Sequence, residues 1–348
     1  METVWFCLVA IMIALYVVLD GFDLGAGAIH LLVAKTEDER RLVIRSIGPV
    51  WDGNEVWLLA AGGTLYFAFP VLYASGFSGF YLPLMIVLWL LILRGISIEF
   101  RGQVDSPVWA KFWDVVFASA SLLLAIFYGA ALGNVVRGVP LDDKGYFFEA
   151  LWTNFRLGAS TGILDWYTIL VGLAALVTLG LHGALWLCLK TEGPVHKRAQ
   201  VLARTSWWGA LAFTMLLTVV TFRVQPHVPA NLSEHPGGYV FPALALAGLV
   251  GMFWFIRKND DLKSFLASCV YLLGMLTSVV FGLYPLVLPA SSNPAYSLTI
   301  SNAKAGDYGL RIGLAWWGVG MILVAGYSVY VYRHFGGKVK VESGEETY

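Results

Sequence analysis

The chain is 348 residues long, 58% hydrophobic and 13% charged, and its 23 Lys and Arg balance 23 Asp and Glu. Its mean hydropathy is +0.70; since soluble domains carry roughly 25% charged residues, a soluble globular enzyme and a disordered chain are both excluded. The even charge balance leaves no cationic excess to neutralise phosphates, which excludes a nucleic-acid binder.

A membrane-crossing helix needs about 20 mostly apolar residues. Nine segments meet that need: 3–33, 49–69, 76–98, 108–134, 165–188, 205–223, 238–256, 265–288 and 309–332. The apolar runs are continuous rather than alternating, so strands are not expected. The first run follows Met1-Glu2-Thr3, without a basic flank, and is too long for a cleavable signal. It is expected to be a retained helix. The whole chain, 1–348, therefore reads as one integral membrane domain, an all-α polytopic protein of about nine transmembrane helices in helical bundles.

Lys and Arg alternate between connections. Odd-numbered connections and the tail hold 17 of them and even-numbered ones 6. The excess of basic residues marks the cytoplasmic side, so the N-terminus is expected outside and the C-terminus in the cytoplasm. The longest connections, 135–164 and 289–308, then lie outside. Both are too short for a catalytic domain and read as ordered caps. Cys7, Cys188 and Cys269 stand apart in apolar stretches and read as small packing residues.

Ionisable residues inside apolar spans are costly unless paired or hydrated, and three groups occur. The first is Asp20-Gly21-Phe22-Asp23-Leu24-Gly25-Ala26-Gly27. Its carboxylates are three residues apart and share a helix face. Gly21 and Gly25 form a GxxxG pair suited to a close helix neighbour. The second is Pro49-Val50-Trp51-Asp52-Gly53-Asn54-Glu55-Val56-Trp57. Pro49 suits a first helical turn, and acids there favour the positive end of the helix dipole. Trp51 and Trp57 read as membrane-interface anchors. The third is Arg94-Gly95-Ile96-Ser97-Ile98-Glu99-Phe100-Arg101. Arg94 is deep enough to need a carboxylate partner. Arg101 reads as a snorkelling boundary residue.

Asp20, Asp23, Asp52, Glu55 and Glu99 outnumber Arg94 and Arg101 by three. Surplus acids in a low-dielectric interior favour a proton-carrying form, and such acids near the cytoplasmic side are what a proton path needs. His182 and His30 lie within spans at unlike depths. They read as hydrogen-bonded packing residues, with haem or metal ligation the weaker alternative. No motif for a catalytic residue or a dedicated metal site is present in the chain.

These motifs, together with Ala61-Gly62-Gly63 and Phe77-Ser78-Gly79-Phe80-Tyr81, resemble subunit II of cytochrome bd quinol oxidase. The likeness continues more loosely in Asn134-Val135-Val136-Arg137-Gly138-Val139-Pro140, Phe281-Gly282-Leu283-Tyr284-Pro285 and Ser291-Ser292-Asn293-Pro294. The resemblance implies a subunit of a bacterial plasma-membrane terminal oxidase that oxidises quinol and reduces O2 to water. It implies a heterodimer with a haem-bearing subunit I, which carries two b-type haems and one d-type haem, so that this chain alone binds no haem. Small single-span accessory subunits, membrane lipids and a structural quinone are further implied partners. Asp52 matches the family's proton-path aspartate, and Asp20, Asp23, Glu55 and Glu99 are the other candidates for that path. Arg94, Trp51, Trp57, Asn54 and Arg101 are their structural partners. Two alternatives remain open at this point, a proton-coupled transporter and a haem-bearing cytochrome b using His30 and His182. A transporter would show broken spans in two equivalent halves, whereas these acids gather in the first three spans.

Overall fold

The structure is a computed structural model, and it describes residues 1–158 and 161–339. Thirteen α-helices lie among the described residues: α1 Glu2–Ala28, α2 His30–Val33, α3 Glu37–Ile47, α4 Trp51–Ala68, α5 Pro70–Gly79, α6 Tyr81–Phe100, α7 Pro107–Arg137, α8 Trp166–Lys190, α9 Gly193–Val224, α10 His227–Glu234, α11 Val240–Arg257, α12 Asp261–Leu283 and α13 Asp307–His334. The only sheet described pairs Leu286–Leu288 with Leu298–Thr299, antiparallel.

Among the described residues, eight helices are long and apolar enough to cross a membrane: α1, α6, α7, α8, α9, α11, α12 and α13. The ninth expected span is α4. It is helical over 18 residues, but Asp52, Asn54 and Glu55 at its start make it too polar to join that set. Three expected boundaries move. The first span breaks at Ile29, whose φ of −97° and ψ of 0° end α1. The following connection is largely helical, because Thr36 and Glu39 form a reciprocal capping box that starts α3. The connection after α4 is the helix α5, with Pro70 at its first position, where a missing N–H costs nothing.

α1 runs through the centre of the assembly and packs against α4, α7, α8 and α12. A Cβ on Gly25 would collide with the backbone of Leu179 and Gly183, and one on Gly183 with the backbone of Gly25 and Ala26. The close approach expected of the Gly21–Gly25 pair is thus made by α8, whose own glycine meets it. Beside this contact Phe22 stacks on Trp186, with ring centroids 3.9 Å apart. The two long connections bond to one another at one end of the molecule, through Val139 N to Pro289 O at 3.0 Å and Ser291 N to Val139 O at 2.8 Å. α13 lies on the outside, and Leu310 is its only buried residue.

A buried carboxylate cluster as the candidate functional site

Asp20 and Asp23 leave α1 on one side, and both are fully buried. α6 brings Arg94, also fully buried, against Asp20. The guanidinium donates twice, Nη1 to Oδ2 at 3.1 Å and Nη2 to Oδ1 at 2.5 Å. This forked pairing is among the stronger charge-assisted contacts. Glu55 of α4 adds a second carboxylate 3.6 Å from Arg94 Nη1, and its side chain is 22% exposed. Ser97 Oγ donates to the Arg94 carbonyl at 2.6 Å.

Asp23 is held differently. Asn54 Nδ2 donates to its Oδ2 at 2.7 Å and to the Leu19 carbonyl at 3.1 Å. The Asn54 Oδ1 accepts from the Tyr332 hydroxyl of α13 at 2.8 Å. Asp23 Oδ1 is buried with no hydrogen-bond partner, as is Arg94 Nε. Two carboxylates therefore meet one guanidinium, a third lies one turn along α1, and one oxygen of that third carboxylate is buried unpaired. Tyr16 and Tyr128, bonded hydroxyl to hydroxyl at 3.0 Å, lie in the same interior.

The structure brings together Asp20, Asp23, Asn54, Glu55 and Arg94. Trp51 joins them by packing against Gly95, where an added Cβ would meet its ring at 3.3 Å. Asp52 and Glu99 are not in the cluster. Both side chains are exposed on this chain, Asp52 one turn before Glu55 and Glu99 beyond Arg94. Trp57 is not an interface anchor but part of a buried group with Met12, Tyr16 and Ala61.

Arg101 is not a snorkelling boundary residue. It is 6% exposed and belongs to a second buried cluster, centred on Asp114 of α7. Arg101 Nε donates to Asp114 Oδ1 at 2.7 Å and its Nη2 to Oδ2 at 3.2 Å. His30 Nε2 lies 2.8 Å from Oδ1, and Arg40 Nη1 lies 3.3 Å from Oδ2. Glu37 pairs with Arg101 Nη1 at 2.9 Å. Sequence reading missed Asp114, although a lone acid inside an apolar run is the signal that found Asp20.

A third cluster, also missed, closes the opposite end of α7. Arg137 pairs with Asp165, with Glu149 at 2.9 Å, and with Asn134 Oδ1 at 2.7 Å. Burial pushes the Glu149 carboxyl up to about 7, against the lowering effect of Arg137.

The two candidate haem or metal ligands sit in separate surroundings. His182 uses both ring nitrogens, Nδ1 with Ser268 Oγ at 2.7 Å and Nε2 with the Val18 carbonyl at 2.9 Å. It stacks on Phe265, while His30 bonds Asp114 and meets Phe117 edge-on. This arrangement does not fit a bis-histidine haem.

Residues 1–335 match the family model of cytochrome bd terminal oxidase subunit II. The chain belongs to that family. It is similar to a cytochrome bd ubiquinol oxidase subunit 2 of Bacillus subtilis, at 33% identity over 90% of this chain and 89% of the relative. It is also similar to a probable cytochrome oxidase subunit 2 of Haemophilus influenzae, at 30% identity over 97% and 94%. The Escherichia coli cytochrome bd-I ubiquinol oxidase subunit 2 is 26% identical over 98% and 96%. A chain in the structure of bd oxidase from Geobacillus thermodenitrificans has the same fold, with a TM-score of 0.72 over 96% of this chain and 98% of that one at 17% identity. Family membership makes this a multi-pass membrane protein and a subunit of a haem-containing oxidoreductase complex with subunit I.

Proposed function

We propose that this chain is the non-haem partner of subunit I in a quinol-oxidising, O2-reducing complex of the bacterial plasma membrane, and that it supplies a proton path from the cytoplasm. The observation that carries this reading is the charge imbalance around Arg94. Asp20 and Glu55 pair with its one guanidinium, and a third carboxylate, Asp23, lies one turn along α1 held by Asn54 alone. Two uncompensated negative charges are costly in a low-dielectric interior, and a proton held on one of these carboxylates removes part of that cost. A group that holds a proton on a carboxylate, and can pass it to another within reach, is a relay.

The order of residues suggests a direction. Asp52 is exposed at the start of α4, directly after α3 and the basic connection that the charge alternation puts in the cytoplasm. Glu55 stands one turn deeper and is partly open. Arg94 then links Glu55 to Asp20, and Asp23 lies one turn along α1. Arg94 fixes the carboxylates in place; Asn54 holds one oxygen of Asp23 and leaves the other free. Glu99, exposed on α6 beyond Arg94, is a second mouth residue. Protons leaving this path serve the oxygen chemistry of subunit I.

The test is Asp23→Asn beside Asp52→Asn in the assembled complex. Asn at 23 can keep the Asn54 bond but cannot take a proton. Both variants are expected to lower O2 turnover at least tenfold with haem content unchanged. Full turnover, with proton uptake from the cytoplasmic side intact, would remove the residue concerned from the path. Loss of haem would make its role structural.

A further inference from the structure

A cavity of about 360 Å³ opens beside the Asp114 cluster, between the end of α2 and the start of α7. Lys35, Arg40 and Lys111 line it together with Leu31, Val115 and Asp114. The carboxylate in its wall is already engaged, since both Asp114 oxygens accept from Arg101 and each has a further partner in His30 or Arg40. Of the nearby acids, Glu37 pairs with Arg101 and Arg41, and Glu39 with Arg198 at 2.9 Å. Among the described residues neither Lys35 nor Lys111 has an ion-pair partner; Lys35 Nζ donates only to the Leu31 carbonyl at 3.1 Å. Arg40 Nε is buried and has no hydrogen-bond partner. Three cations thus line one cavity; Arg40 pairs with Asp114 but keeps an N–H to spare, and Asp114 is the only acid in the lining.

The apolar side of the cavity gives the shape of the ligand. Lys111 stands one helical turn from Val115 on α7, so a cation and an apolar side chain share one helix face. Leu31 provides the matching apolar surface on α2. A cationic rim over apolar walls, at the end of membrane-crossing helices, matches a phosphate head over a hydrocarbon chain. A guanidinium N–H and two ammonium groups are suited to phosphate oxygens.

We propose that this cavity binds an anionic phosphate group, seated by Lys35, Arg40 and Lys111, and that its source is the headgroup of an anionic phospholipid. The proposal does not depend on the proton path, because none of these three residues belongs to it.

The experiment uses the purified, delipidated oxidase complex. Short-chain phosphatidylglycerol, short-chain phosphatidylcholine and inorganic phosphate are titrated into it, with binding read by native mass spectrometry. The same titrations are run on the Lys35→Gln, Lys111→Gln double variant. Both side chains are exposed, and an unchanged haem spectrum shows that the variant is assembled. Phosphatidylglycerol is expected to bind the wild type at least tenfold more tightly than the variant and more tightly than phosphatidylcholine. Weaker inorganic phosphate assigns the site to lipid. Inorganic phosphate as tight as phosphatidylglycerol, and equally sensitive to the variant, keeps the anion site but assigns it to the free ion. Equal phosphatidylglycerol binding by wild type and variant, or phosphatidylcholine binding as tight as phosphatidylglycerol, overturns the proposal.

Discussion

Arg94 and Asp114 are the centres of two buried clusters with opposite charge patterns. One guanidinium faces Asp20 and Glu55, with Asp23 a turn away. One carboxylate faces Arg101, Arg40 and His30. The first has acids to spare and a carboxylate oxygen with no partner. In the second, Asp114 and Glu37 match Arg101 and Arg40, the central acid has both oxygens engaged, and the cations to spare are Lys35 and Lys111 on the adjoining cavity. Net burial is similar, so the difference lies in which sign is left over. Spare acid can take up protons. Spare cation has none to accept and is suited to fixing helices or receiving an anion.

The largest expected effect tests whether Arg94 is what makes spare acid tolerable. Arg94→Ala strands Asp20 without its partner, and breaking a buried pair costs about 3–5 kcal/mol. The variant should fail to co-purify with subunit I or should lose haem, measured by subunit ratio and reduced-minus-oxidised absorbance. A fully assembled variant would show that the carboxylates do not depend on Arg94.

Asp114→Asn sharpens the contrast from the other side. It keeps one acceptor oxygen but loses charge-assisted bonds to Arg101 and Arg40, at about 1.5–3 kcal/mol. The melting temperature should fall, while turnover per intact complex and its pH profile stay as in the wild type. A changed pH profile would move Asp114 from scaffold to proton path.

The smallest effect is expected at Glu149, one of two acids facing another guanidinium, Arg137, at the capped end of the molecule. Glu149 sits at about 7 when folded, above its ordinary 4.5, chiefly because it is buried. A raised carboxyl pKa means the folded state holds the proton more tightly. The stabilisation is complete below about pH 4.5 and is lost as pH rises through about 7. Glu149→Gln cannot ionise, so its thermal stability should fall less between pH 5 and pH 8 than that of the wild type. Matching slopes in the two proteins would contradict the raised value.

Much of the first cluster was legible in the sequence. Asp20, Asp23, Asn54, Glu55 and Arg94 interrupt apolar runs, and polar groups in such places need partners. The close α1 neighbour was legible in Gly21 and Gly25, though not that α8 would supply it. Asp52 and Glu99 were grouped with the buried acids because spacing gives depth along a helix, whereas exposure depends on how the helix is rotated against others. Arg101 looked like a boundary because its partner, Asp114, reaches it across the turn between α6 and α7. The break at Ile29 was hidden, since apolar residues continue on both sides and only His30 interrupts them.

Tyr332 lies 278 residues beyond Asn54, the side chain whose other end grips Asp23. It is carried by α13, the last helix among the described residues and the least embedded of the membrane-crossing ones. The hydrogen-bond chain around Asp23 is therefore closed only when α13 has packed against α4. A nascent or truncated product would carry every acid of the cluster and still hold Asn54 by one end fewer.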